Sequence, residues 1–162
     1  MTSRFKSLLA GSVGAVTLTM VHELGRRLLP DAPRMDVLGT RALRRLENAP
    51  GWSSSSWLTR LSRSNAATRH RVAMAGDLVA NSLYYAAVAG RSAGDTWTRA
   101  AVLGSAAGAG ALLLPKPMGL GEPPRSHRAD TQAMTVAWYL IGALAAGATA
   151  NAMRSRRTRA PR

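Results

Sequence analysis

The sequence predicts an all-α, polytopic membrane protein with four transmembrane helices and an amphipathic interfacial helix between the first and second. Three observations carry the prediction. Four long Ala/Leu/Val/Gly stretches stand almost free of charge, and the segments between them are crowded with arginine. The 22 Lys and Arg against 8 Asp and Glu give a formal net charge of +14, gathered beside the apolar stretches. A mean hydropathy of −0.06 averages the two populations and conceals both. At 162 residues the chain is expected to form one domain, over 1–153, followed by a basic, disordered tail over 154–162. Five arginines in that tail with no acid cannot bury anything. The absence of cysteine excludes disulfides, zinc-thiolate sites and iron–sulfur clusters.

The first expected span covers 7–25, with Arg4 and Lys6 before it and Arg26 and Arg27 after it. At about 1.5 Å per residue it rises about 28 Å, close to the roughly 30 Å of bilayer hydrocarbon. Val21-His22-Glu23-Leu24 stands where a signal peptide would carry small residues for cleavage, so the span is expected to be retained.

An amphipathic helix is expected over 33–48. Met35, Leu38, Ala42, Leu43 and Leu46 share one face, opposite Arg34, Arg41, Arg44, Arg45 and Glu47. Asp31-Ala-Pro33 reads as its capped start. Arg44 and Arg45 are placed to anchor it on anionic headgroups, and Trp52 and Trp57, around a serine run, read as further interfacial anchors.

The second span is expected over 72–90, between Arg69-His70-Arg71 and Arg91, with Asp77 and Asn81 inside it. The third, over 98–114, is the shortest. Trp97 suits the interface, Asp95 or Thr96 the first-turn cap, and Pro115 and Pro117 the stop. The fourth, over 133–153, is the clearest, because no polar side chain interrupts it from Leu140 to Ala148. A surface helix of a soluble bundle would need a polar face there.

Two features carry a mechanism. Gly104 and Gly108 form a GxxxG extended by Gly110, and the small-xxx-small spacing recurs as Gly142 with Ala146 and Gly11 with Ala15. Such spacing lets helix backbones approach closely, inside a bundle or in a homodimer. Asp77, Asn81 and Tyr84, at i, i+4 and i+7, share a face of the second span, and His22 and Glu23 lie near the end of the first. Counted from the same membrane surface, His22 is about 6 Å deep and Asp77 about 9 Å. A His22–Asp77 pair is therefore expected, with Asn81 one turn deeper, as a tie between helices, a proton or ion site, or a cofactor or lipid-headgroup pocket.

No HxxxH or ExxH spacing offers a metal site. Neither GxSxG, a Walker loop nor a strand-linked GxGxxG is present, so no enzyme activity and no cofactor are expected. The arginines flank apolar spans, and a single Phe with no aromatic run outside them offers no stacking platform. Nucleic acid is thus excluded as a partner in favour of anionic lipid headgroups, with a larger membrane complex or a homodimer as the protein partner.

The combination of a first span ending in His22, the segment Ala32-Pro-Arg-Met-Asp-Val-Leu-Gly39, the run Gly76-Asp-Leu-Val-Ala-Asn-Ser-Leu-Tyr-Tyr85 and the closing Leu114-Pro-Lys-Pro-Met-Gly-Leu120 resembles small, uncharacterised four-helix bacterial membrane proteins. The resemblance covers about residues 8–153, implies the bacterial inner membrane, and brings no activity. The expected function is a non-enzymatic structural or accessory subunit packing against other membrane helices through Gly/Ala faces. The alternative is a small transporter or proton/ion-handling protein using His22, Glu23, Asp77 and Asn81. The acid-free tail favours cytoplasmic termini.

Overall fold

Side-chain caps set where two of the long helices begin. Asn65 accepts the Thr68 amide at 2.9 Å, so a helix starts at Ala66, ahead of the expected 72, and takes Arg69-His70-Arg71 into its first turns. Ser92 accepts the Asp95 amide at 3.1 Å and starts the next helix at Ala93. Neither Asp95 nor Thr96 is the cap. Asp95 instead accepts the Arg91 amide at 2.7 Å and the Arg99 guanidinium at 3.0 Å, bonds that hold its carboxyl below the ordinary carboxylate range.

The structure is a computed structural model that describes residues 3–49 and 64–158. It is all-α, with five helices among the described residues: α1 (Ser3–Leu28), α2 (Met35–Glu47), α3 (Ala66–Ala86), α4 (Ala93–Leu113) and α5 (Ala129–Thr158). Helix α5 runs past the expected end at 153, taking the first residues of the basic tail with it. At the start of α2, Arg34 occupies the cap position without a side-chain cap bond. Asp31 does not cap α2; it faces Arg128 at 3.2 Å and Arg125 at 3.8 Å.

The four-span expectation does not hold. Among the described residues only Ser3–Leu28 and Ala129–Ser155 are long and apolar enough to cross a membrane. Helix α3 fails on composition, since Arg69, His70, Arg71, Asp77 and Asn81 all lie within it. In α4, Asp95 and Arg99 occupy the first two turns, and the uncharged remainder, Ala100 to Leu113, rises only about 21 Å.

Helix α1 packs between α3 and α5, and α4 packs on α5, giving the order α3–α1–α5–α4. Neighbours run antiparallel, as contacts along α1 demonstrate: Gly11 meets Ser82 and Ala86, whereas Gly14 meets Gly142 and Ala146, and Gly25 meets Trp138. Along α4, Ala100 faces Gly147, Gly104 faces Leu140 and Ala143, and Gly108 faces Val136. A Cβ on Gly14 would stand 2.6 Å from the Gly142 carbonyl oxygen, so these backbones are in direct contact. The core is correspondingly small-chained, built on Ala15, Ala100, Ala143 and Ala146 around Tyr85 and Leu18.

The Gly104-x-x-x-Gly108 face is therefore occupied by α5 of the same chain. Gly142 packs against Leu18 and Tyr85, as an interface residue should. Gly110 does not join this packing, because only its own helix's Leu114 lies near its open side.

Candidate functional site

At one end of the bundle α2 docks against α3, with Gly39 opposite Ala73, and closes a cavity of about 50 Å³. That is room for a few waters or one small ion. His22 and Glu23 reach it from α1, Asp36 from α2, and His70 and Asp77 from α3. His22 and Asp77 line the same cavity, although α3 is not a span and no membrane depth sets their level, and among the described residues no hydrogen bond or ion pair joins them.

His22 is fixed instead by aromatic neighbours. Its ring stands edge-on to Trp138 at 5.2 Å and Tyr139 at 5.7 Å. Its Nε2 is buried without a hydrogen-bond partner. Trp138 in turn lies over Gly25, where any side chain would collide with the indole.

Glu23 is neutralised by Arg26 at 2.8 Å and Arg27 at 2.7 Å, both on its own helix. Asn81 donates to the Asp77 backbone carbonyl at 3.0 Å, a bond within one turn of α3 that leaves the helix surface unlinked. Tyr84 leaves the cluster altogether: its hydroxyl donates to the Leu103 carbonyl at 2.9 Å and ties α3 to α4.

Three residues that sequence reasoning did not place here matter more. Tyr85 is fully buried, donates to the Tyr139 carbonyl at 2.8 Å and packs on Gly142. Asp36 is paired with Arg34 at 3.0 Å, and those hydrogen bonds hold its carboxyl below the usual range. His70 enters the cavity because the Asn65 cap extends α3 to include it. The adjacent Tyr84-Tyr85 pair was the one available signal, since either ring could have faced inward.

The expected interfacial anchors separate. Arg45 lies against Gly119, and Arg41 donates to the Leu120 and Glu122 carbonyls at 3.1 and 2.9 Å. Arg41 clamps the chain's own proline-rich loop, and Arg45, which is exposed, lies across it. Gly119, at φ +70°, is the residue that lets the loop pass this close. Arg44 is exposed, as is Trp97, which reaches back over Gly147. Trp52 and Trp57 lie outside the described residues. Among the described residues no group of three or more His, Asp or Glu is arranged to hold a metal ion.

No protein-family model matches the chain, and neither curated proteins nor solved structures give a match. The fold itself defines the class: an all-α protein in which two helices could cross a membrane, with a small cavity under a docked amphipathic helix that His22, Asp36, His70 and Asp77 help to line.

Proposed function

We propose that the protein is a non-enzymatic integral membrane protein of the bacterial inner membrane, held in lipid by α1 and α5 and serving as a structural or accessory component of a membrane assembly. The observation that carries this reading is an inversion of side-chain volume. Ala and Gly make most of the buried contacts of α1 and α5, with Leu18, Thr131, Thr135 and Trp138 beside them, while Leu8, Val13, Met20, Leu24, Ile141 and Leu144 face outward.

In water the large apolar chains would be driven inside. In lipid that force vanishes, small residues give the closest backbone contact, and large ones meet the acyl tails. Only 33% of the apolar stretch of α1 and 39% of that of α5 is buried, too little for core helices of a soluble bundle. Because α1 and α5 are antiparallel, Lys6 and Arg154 lie at the same end, and the arginine-rich C-terminus favours the cytoplasm for that side. Partner helices would meet outward Leu and Val, since Gly104 and Gly108 are already covered.

The protein is expected to remain with membranes through an alkaline carbonate wash and to be released by mild detergent together with another membrane protein in fixed stoichiometry. Recovery in the soluble fraction would end the membrane reading. Release as a pure, solitary chain would end the accessory role.

A second reading, a small transporter handling protons or ions, is favoured by the unpartnered Nε2 of His22 beside a cavity that Asp36, His70 and Asp77 also line. It expects pH-dependent flux from proteoliposomes carrying the protein, abolished by His22→Leu. Flux equal to that of empty vesicles would remove it.

A further inference from the structure

The opposite end of the bundle carries a feature that neither reading uses. An open cleft of about 940 Å³ lies between the start of α1, the α3–α4 turn, the first turns of α4 and the end of α5. Lys6, Arg91, Arg99 and Arg154 line it, and no carboxylate does. We infer that this cleft is a binding site for a phosphate-bearing anion, with Arg154 as its fixed donor and Lys6 and Arg91 as its free cations.

Among the described residues Arg154 is held in place by neutral acceptors alone. Its Nη2 donates to the Gly90 carbonyl at 3.1 Å and to the Thr96 hydroxyl at 2.9 Å. Thr96 is itself fully buried, accepts the Gly90 amide at 3.1 Å and donates to the Ser92 carbonyl at 2.8 Å. The guanidinium is thereby locked to the turn while its charge stays uncompensated, and its Nε is buried with no partner. A planar, oriented guanidinium with donors to spare is suited to phosphate oxygens.

Lys6 and Arg91 make no side-chain hydrogen bond or ion pair among the described residues. Arg99 differs: it is paired with Asp95 at 3.0 Å and donates to the Ala87 carbonyl at 3.4 Å, so it shapes the turn. Three cations from three segments of the chain thus line one cleft whose walls hold no acid, Asp95 lying behind it on Arg99 and the Arg91 amide. An anion with several acceptor oxygens satisfies both the charge and the orphaned donor. The same chemistry is offered by an anionic phospholipid headgroup and by a soluble phosphate. The inference does not require α1 and α5 to lie in lipid.

The test uses the full chain in a neutral detergent, titrated separately with inorganic phosphate and with a short-chain phosphatidylglycerol, binding being followed by thermal stabilisation. Saturable binding is expected, weakened roughly thirtyfold in Lys6→Gln/Arg91→Gln and unchanged in Arg44→Gln/Arg71→Gln, which removes the same charge at the other end. Because the Lys6 and Arg91 side chains make no hydrogen bond or ion pair among the described residues, and the Arg91 amide keeps its bond to Asp95 in the variant, their loss leaves the fold in place, which the unliganded melting temperature checks. Saturation by both probes or by phosphate alone identifies a soluble-phosphate site, and saturation by the lipid alone a headgroup site; either supports the inference. Equal weakening in the two double variants, or no saturation with either probe, overturns it. An intact carbonate-resistant membrane protein without saturable binding would fail this inference and leave the proposed function standing.

Discussion

Gly108→Leu is expected to destabilise the bundle by about 3 kcal/mol, at the upper end of overpacking penalties, while Leu113→Ala five positions on should change it by less than about 0.5 kcal/mol. A Cβ on Gly108 would already lie 2.6 Å from the Val136 Cα, which is backbone and cannot rotate away. A leucine there must push α4 and α5 apart along their whole contact, releasing Gly104 from Leu140 and Ala143 as well. Leu113 is 71% exposed and loses only outward contacts on truncation. Reversible unfolding in detergent, followed by helix content, measures both variants. Equal tolerance would mean that the α4–α5 contact does not exist.

The second large effect is expected at Tyr85. Tyr85→Ala should cost about 3–5 kcal/mol, because the ring is fully buried and its neighbours Gly14 and Gly142 have no side chains with which to fill the void. Tyr85→Phe should cost only about 0.5–1.5 kcal/mol. It removes the donor to the Tyr139 carbonyl, but that carbonyl lies in the middle of α5 and keeps its helical bond. Tyr84→Ala serves as the comparison, since that ring is half-exposed and should cost distinctly less than Tyr85→Ala. A smaller loss for Tyr85→Ala than for Tyr84→Ala would reverse the inward face of α3 and with it the way α1, α3 and α5 meet.

These two residues show how far the one-dimensional pattern reaches. The GxxxG spacing was readable because it depends only on residues four apart on one helix, and Gly104 and Gly108 are at a contact as that spacing requires. Gly110 obeyed a similar pattern and packs on nothing beyond its own helix, because the contact stripe, Ala100–Gly104–Gly108, advances in steps of four and leaves it to one side. The rotation of α3 was not readable. Tyr84 fitted the i, i+7 spacing from Asp77, yet the close approach of Gly11 to Ser82 and Ala86 turns Tyr85 inward and Tyr84 toward α4.

Four apolar stretches were visible and each became part of a helix, but apolar composition alone overstated two of them. Capping chemistry, which acts before the apolar run begins, drew Arg69, His70 and Arg71 into α3 and Asp95 and Arg99 into α4. A helix that starts early carries its flanking charges with it and shortens the stretch that could lie in hydrocarbon.

By itself the sequence determined the all-α class, the small-residue contacts of α4, and the amphipathic segment after α1. Each of these follows from periodicity or a side chain acting within one turn. Only the tertiary structure decided that Asp36 and His70 complete the cavity, that His22 rests on Trp138 and Tyr139 without bonding to Asp77, and that Arg41 clamps the loop after α4 while Arg45 lies across Gly119. It also decided that Arg154 turns back to Gly90 and Thr96 and does not trail into solvent. Those outcomes depend on which volumes interlock between segments tens of residues apart, a matter of packing that no local pattern encodes.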